Sequence, residues 1–141
     1  MEYNQYHEAY EKVCWYDCSV RDFLYTIYNT WFTKNESGFI QSIYNPQELH
    51  VHGDDYRDWD NAILLTPSEY DSLDQRVLSL LDYSGGSPPS DAIEGWWLMP
   101  DDLLAKSLRC QYVNRNNTVS EMEVDYICGI RPVIIINMDY N

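Results

Sequence analysis

Residues 83 to 90, Tyr-Ser-Gly-Gly-Ser-Pro-Pro-Ser, can continue neither a helix nor a strand, because paired glycines and prolines interrupt both hydrogen-bond ladders. They read as a surface loop joining two parts of one domain. Helical periodicity dominates before this loop. Val20, Phe23, Leu24, Ile27, Tyr28 and Trp31 recur at i, i+3, i+4, i+7, i+8 and i+11, the stripe of a core-facing helix. Ser19 is placed to cap it, with Asp22 three residues on. Residues 33 to 41 read as a short second helix with Thr33 as its cap, and Asn45-Pro46 marks a turn. Thr66-Pro67-Ser68-Glu69 combines an N-cap, a proline at the first helical position and an acid at the third. Tyr70, Leu73, Val77, Leu80 and Leu81 continue that helix to about Asp82. Ala62 to Leu65 reads as a short buried strand. Beyond the loop, Gly95 to Met99, Gln111 to Val113, Thr118-Val119 and Ile130 to Asn137 read as short strands.

At 141 residues the chain fits one domain, 1 to 141, and its 45% apolar and 15% aromatic content can offset the entropy of ordering it. The N-terminus has neither a basic nor an apolar leader region, and Val133 to Ile136 is far too short to span a bilayer. A cytoplasmic protein, in a bacterial or phage-infected host cell, is expected, with Cys14, Cys18, Cys110 and Cys128 as free thiols.

Charge narrows the function classes. The formal net charge is −14, and residues 44 to 102 alone carry 13 acids and 2 bases. Such a field repels phosphate backbones and anionic membranes, so direct binding to nucleic acid or a membrane is not expected.

The order of Trp15-x-x-Cys18-Ser19-Val20-Arg21-x-Phe23-Leu24, Tyr28-Asn29-x-x-Phe32-Thr33, Ile63-Leu64-Leu65-Thr66, Gly95-Trp96-Trp97-Leu98, Tyr112-Val113 and Gly129-Ile130-Arg131-Pro132-Val133 resembles a bacterial domain family of unknown function. That family's hallmarks are a W-x-x-S-x-x-R-x-W-L helix, an F-L-L-S strand, a W-W-L-R-S-P segment and a terminal G-V-R-P-A strand. The likeness runs from about residue 15 to 137. It implies the C-type-lectin-like fold of formylglycine-generating enzymes and of retroelement receptor proteins: α+β, two main helices on a small, mostly antiparallel sheet. Trp15, Ser19, Arg21, Trp96, Trp97, Arg131 and Pro132 become structural residues, with Arg131 paired to an acid or laid on a tryptophan. Two departures stand out. Met99 replaces the arginine of W-W-L-R-S-P, and only about 14 residues precede Trp15, where the family has a first hairpin. Either Tyr3 to Tyr10 supplies a short strand, or the edge of Val133 to Ile136 stays open for a partner chain or a second copy.

Candidate site residues follow from the charge. Glu48, Asp54, Asp55, Asp58, Asp60, Asp101 and Asp102, with Tyr56 and Tyr83 beside them, can imitate spaced phosphates and occupy the basic groove of a nucleic-acid-binding protein. The same acids can equally be a solvated surface that confers solubility. His50-x-His52 offers two imidazoles but no third ligand fixed by spacing, so no metal or cofactor is expected. No base is placed beside a cysteine. The expected function is therefore a non-enzymatic inhibitor or adaptor that binds a basic protein, and a phage-type anti-CRISPR-like antagonist fits the size and charge. Two alternatives remain: a lectin-like module for a carbohydrate or cell-surface protein, using loops within 101 to 125, and a small enzyme, which would need His or Cys beside an acid in a deep pocket.

Overall fold

The computed structural model describes residues 2–44, 59–81 and 88–137. Five strands form the main sheet: β1 (Glu2–Gln5), β5 (Ala92–Trp97), β6 (Arg109–Asn114), β7 (Val119–Glu123) and β8 (Ile127–Ile130). Their spatial order is β1-β8-β5-β6-β7, antiparallel except for the parallel pair β5 and β8. Four helices accompany them: α1 (Ser19–Trp31), α2 (Lys34–Ser37), α3 (Pro67–Ser72) and α4 (Gln75–Leu81). Two ribbons complete the described fold, β2 (Ile40–Gln41) with β9 (Ile135–Ile136) and β3 (Ile43–Tyr44) with β4 (Trp59–Asp60). The fold is mixed α+β. No helix among the described residues is long and apolar enough to cross a membrane.

Adjacent strand residues face opposite ways, so Trp96 and Trp97 divide the interior between the two faces of the sheet. Trp97 packs with Tyr6, Trp15 and the Val20, Leu24 and Tyr28 stripe of α1. Trp96 packs with Tyr70, Leu98 and Val113, under Leu73, Leu78 and Leu81 of the α3–α4 unit. Both indoles are buried, each removing on the order of 200 Å² from water, or about 5 kcal/mol of gross burial. Arg131 lies over the Trp96 ring at 5.2 Å, the second of its two expected placements.

Several expectations change in the structure. The N-cap of α1 is Cys18, with no side-chain capping bond, and Ser19 lies inside the helix. Trp31, at the end of the stripe, is 53% exposed because the core ends one turn earlier. The second helix covers only Lys34–Ser37, although Thr33 and Glu36 do form its capping box. Ala62 to Leu65 is no strand; Ile63 makes a single bridge to Val133. The Thr66 capping box forms as expected, but its helix stops at Ser72 and a new one starts after Asp74, whose Oδ1 accepts from the amides of Arg76 and Val77. That interruption resets the helical phase: Leu78 turns inward, while Val77 and Leu80 turn out.

The last strand is likewise divided. β8 ends at Ile130, before Pro132, which has no N–H to donate, and the chain then joins Ile63 and β2. A first strand exists and pairs with β8, with Tyr3 opposite Gly129. Val133 exchanges backbone bonds of 2.9 and 2.7 Å with Ile63, so that segment is not the open edge considered above. At the other end of the sheet, Arg109 Nη2 donates to the Glu121 carbonyl at 3.1 Å, blunting edge strand β7.

Gly95 is required by the β5–β6 approach. Its φ is +139°, and a Cβ there would stand 2.1 Å from the Val113 carbonyl oxygen. Gly95→Ala is expected to cost about 3 kcal/mol, combining backbone strain with forced strand separation, read as a lowered urea midpoint. An unchanged midpoint would contradict this geometry.

Candidate functional site

Trp15, Arg21 and Asp60 are brought together from three parts of the chain. Arg21 sits on α1 among apolar stripe residues, and its Nε donates to Asp60 Oδ1 at 2.8 Å. Trp15 Nε1 donates to Asp60 Oδ2 at 3.1 Å. The Arg21 guanidinium also lies 5.1 Å from the centre of the Tyr16 ring. Asp60 is only 5% exposed, which removes it from the expected partner-binding surface. Its carboxylate is neutralised and hydrogen-bonded inside the protein, as a buried charge must be.

This network lies at the root of the acidic stretch. The β3–β4 ladder sets Ile43 opposite Asp60 and Tyr44 opposite Trp59, so the residues on either side of 45–58 are paired with one another. Glu48, Asp54, Asp55, Tyr56, Asp58, the pair His50 and His52, and Tyr83 all lie outside the described residues. Asp101 and Asp102 are described and exposed, and Asp102 Oδ1 accepts from the Leu104 amide. Glu69, Asp71, Asp74, Asp91 and Glu94 are exposed as well, whereas Arg76 is the one described base between 59 and 102. The acids are thus divided. Among the described ones of this third, Asp60 is committed to the interior and the others face solvent.

Beside the β3–β4 ladder is a shallow hollow lined by Arg21, Tyr25, Tyr28, Asp60, Asn61 and Ala62, with about 10 Å³ of water-accessible room, on the order of a single water molecule. The hollow contains no thiol, hydroxyl nucleophile of serine or imidazole, and its one acid is already bonded to Arg21 and Trp15. Among the described residues no three His, Cys, Asp or Glu side chains are grouped to hold a metal ion.

The four cysteines are free and buried. Burial pushes Cys18 and Cys128 up to about 12 and raises Cys110 further in the same direction, so these thiols stay protonated at neutral pH. Cys18 and Cys110 donate to the carbonyls of Trp15 and Leu98. They pack as small hydrophobes and supply no thiolate.

His7 was not singled out by the sequence. Its Nε2 donates to Glu11 Oε1 at 2.8 Å, while Nδ1 accepts from the Ser19 amide at 3.2 Å. Ser19 Oγ lies 3.2 Å from the same nitrogen and accepts from the Glu8 amide. His7 therefore does for the start of α1 what a capping side chain would do, from twelve residues away. The Ser19 amide points at the same nitrogen that would have to take a proton from the serine, so the trio is built as a cap.

No protein-family model, curated protein or solved structure matches this chain.

The split between buried and exposed acids yields a direct test. Asp60→Ala is expected to lose about 3–5 kcal/mol in urea unfolding, because it strands the Arg21 charge in the interior. Asp101→Asn with Asp102→Asn should stay within about 0.5 kcal/mol. Equal effects would contradict the assignment.

Proposed function

We propose that this chain is a non-enzymatic inhibitor or adaptor that uses an acidic, tyrosine-bearing surface between residues 44 and 102 against a basic, nucleic-acid-binding protein. The observation that carries the reading is that the described acids of this third, Asp60 apart, are all exposed, with Arg76 the one described base within it and Arg115 reaching Glu94 from outside it at 3.6 Å. A surface of that kind steers a cationic partner over many ångströms and gives fast, salt-sensitive association. The hollow beside Asp60 adds no substrate-sized cleft. Size and charge fit a phage-type, anti-CRISPR-like antagonist acting in the cytoplasm of an infected bacterium.

We further propose that the scaffold is C-type-lectin-like. Pairing of β1 with β8, near the two ends of the described chain, supports this architecture, as does the packing of Trp15, Trp96 and Trp97 at the positions the resemblance marks as structural. A second reading, a recognition module for a carbohydrate or cell-surface protein, draws support from the β6–β7 hairpin tip. There the Asn114 side chain bonds Asn116, Thr118 and Ser120, and Tyr70 Oη donates to the Asn117 carbonyl, so a polar tip is held in one shape.

Charge reversal separates the two. Replacing Asp54, Asp55, Asp58, Asp101 and Asp102 by lysine is expected to weaken binding to a lysine-rich DNA-binding protein at low salt by about a hundredfold or more, read by fluorescence anisotropy. Unchanged affinity would overturn the acidic-surface reading.

A further inference from the structure

The α3–α4 unit presents an apolar ridge in the most acidic third of the chain. Leu78 and Leu81 of α4 face the Trp96 layer. The phase reset at Asp74 leaves Val77 and Leu80, one turn apart, on the outer flank, 38% and 82% exposed. Residues at i and i+3 are neighbours on a helix surface, so these two side chains form one strip. Leu80 is the most exposed large apolar side chain among the described residues. The Trp96 layer beneath α4 is buried.

Charge decides what such a ridge can take. Asp74 lies within one turn of Val77 and bonds its amide, and Glu69 and Asp71 are exposed on α3. Arg76 is the only base on the two helices. A second copy of this chain would bring acid against acid at a net charge of −14. An uncharged apolar segment would desolvate Asp74 without compensating it. An apolar strip flanked by lysine or arginine satisfies both features at once.

We infer that the outer flank of α4, centred on Val77 and Leu80 and bordered by Asp71 and Asp74, docks a cationic amphipathic helix of the partner. The inference rests on the acidic-surface reading above and gives it a place in the fold. The partner's apolar side chains, spaced i, i+3 or i+4, lie along Val77 and Leu80, the helix-in-groove mode of recognition. Its basic residues meet the carboxylates of Asp71 and Asp74. Apolar contact adds a component that salt does not screen.

The test compares three probes on the intact protein by titration calorimetry at low and high salt: a helical leucine–lysine peptide with one continuous apolar face, a peptide of the same composition with that face scrambled, and poly-L-lysine. The wild type is expected to prefer the amphipathic peptide over the scrambled one. Val77→Gln with Leu80→Gln should weaken the amphipathic peptide about tenfold, leaving poly-L-lysine binding and the unfolding midpoint unchanged. Glutamine keeps helix propensity, and the single Leu80→Gln, at the more exposed position, serves if the double variant unfolds. Equal affinity of wild type and variant for the amphipathic peptide, with poly-L-lysine still bound, would overturn the docking ridge and leave the acidic surface standing. Failure of every cationic probe to bind at low salt would overturn both.

Discussion

The bond set around Asp60 is the constraint from which much of the architecture follows. A carboxylate taken out of water must find its full complement of donors, and here they come from the helix α1 through Arg21 and from the turn before it through Trp15. Meeting both fixes the rotation of α1 about its axis, the seat of the buried Trp15 and the position of β4. The β3–β4 ladder transmits that position to both ends of the acidic stretch. Replacing such a pair by apolar groups of the same volume is often neutral, so its contribution lies in specifying one arrangement rather than in net stability.

On that frame the sheet is buried twice. Trp97 and Trp96 sit on opposite faces, each under its own helical cover, and strand β5 between them can approach β6 only because residue 95 is glycine. Covering both faces uses up most of the apolar residues of a short chain. Among the described residues the exposed acids lie on the strands' ends, loops and helix flanks that this packing leaves outside. Among the described residues the thiols are buried and protonated, and His7 is engaged at the start of α1.

Local signals were legible in the sequence wherever their physics is local. The Thr33 cap and the Thr66 capping box form where their residues place them, and Val20, Leu24, Ile27 and Tyr28 of the α1 stripe are buried. After the loop, β5, β6 and β7 overlap the expected spans, whereas the expected strand from Ile130 to Asn137 is divided between β8 and β9. What was not legible depends on partners distant in sequence. An aspartate in an acidic run reads as surface, and only its meeting with Arg21 and Trp15 turns Asp60 inward. The position of Asp60 just before Ala62 to Leu65, and of Arg21 within an apolar stripe, was the available clue. His7 could not be seen as a cap because it reaches Ser19 through tertiary structure. At Asp74 two local signals competed: an apolar spacing that continues one helix, and an aspartate that starts another. The cap won, and it carried Val77 and Leu80 out of the core.

We propose that the exposed acids recognise a basic macromolecule. The most direct measurement is affinity capture from bacterial lysate on the immobilised protein, with and without nuclease, eluted by a salt step. A basic nucleic-acid-binding protein is expected to be retained equally under both conditions and released by salt, as a screened electrostatic contact must be. An empty column, or a glycan or surface protein that resists the salt step, would contradict it.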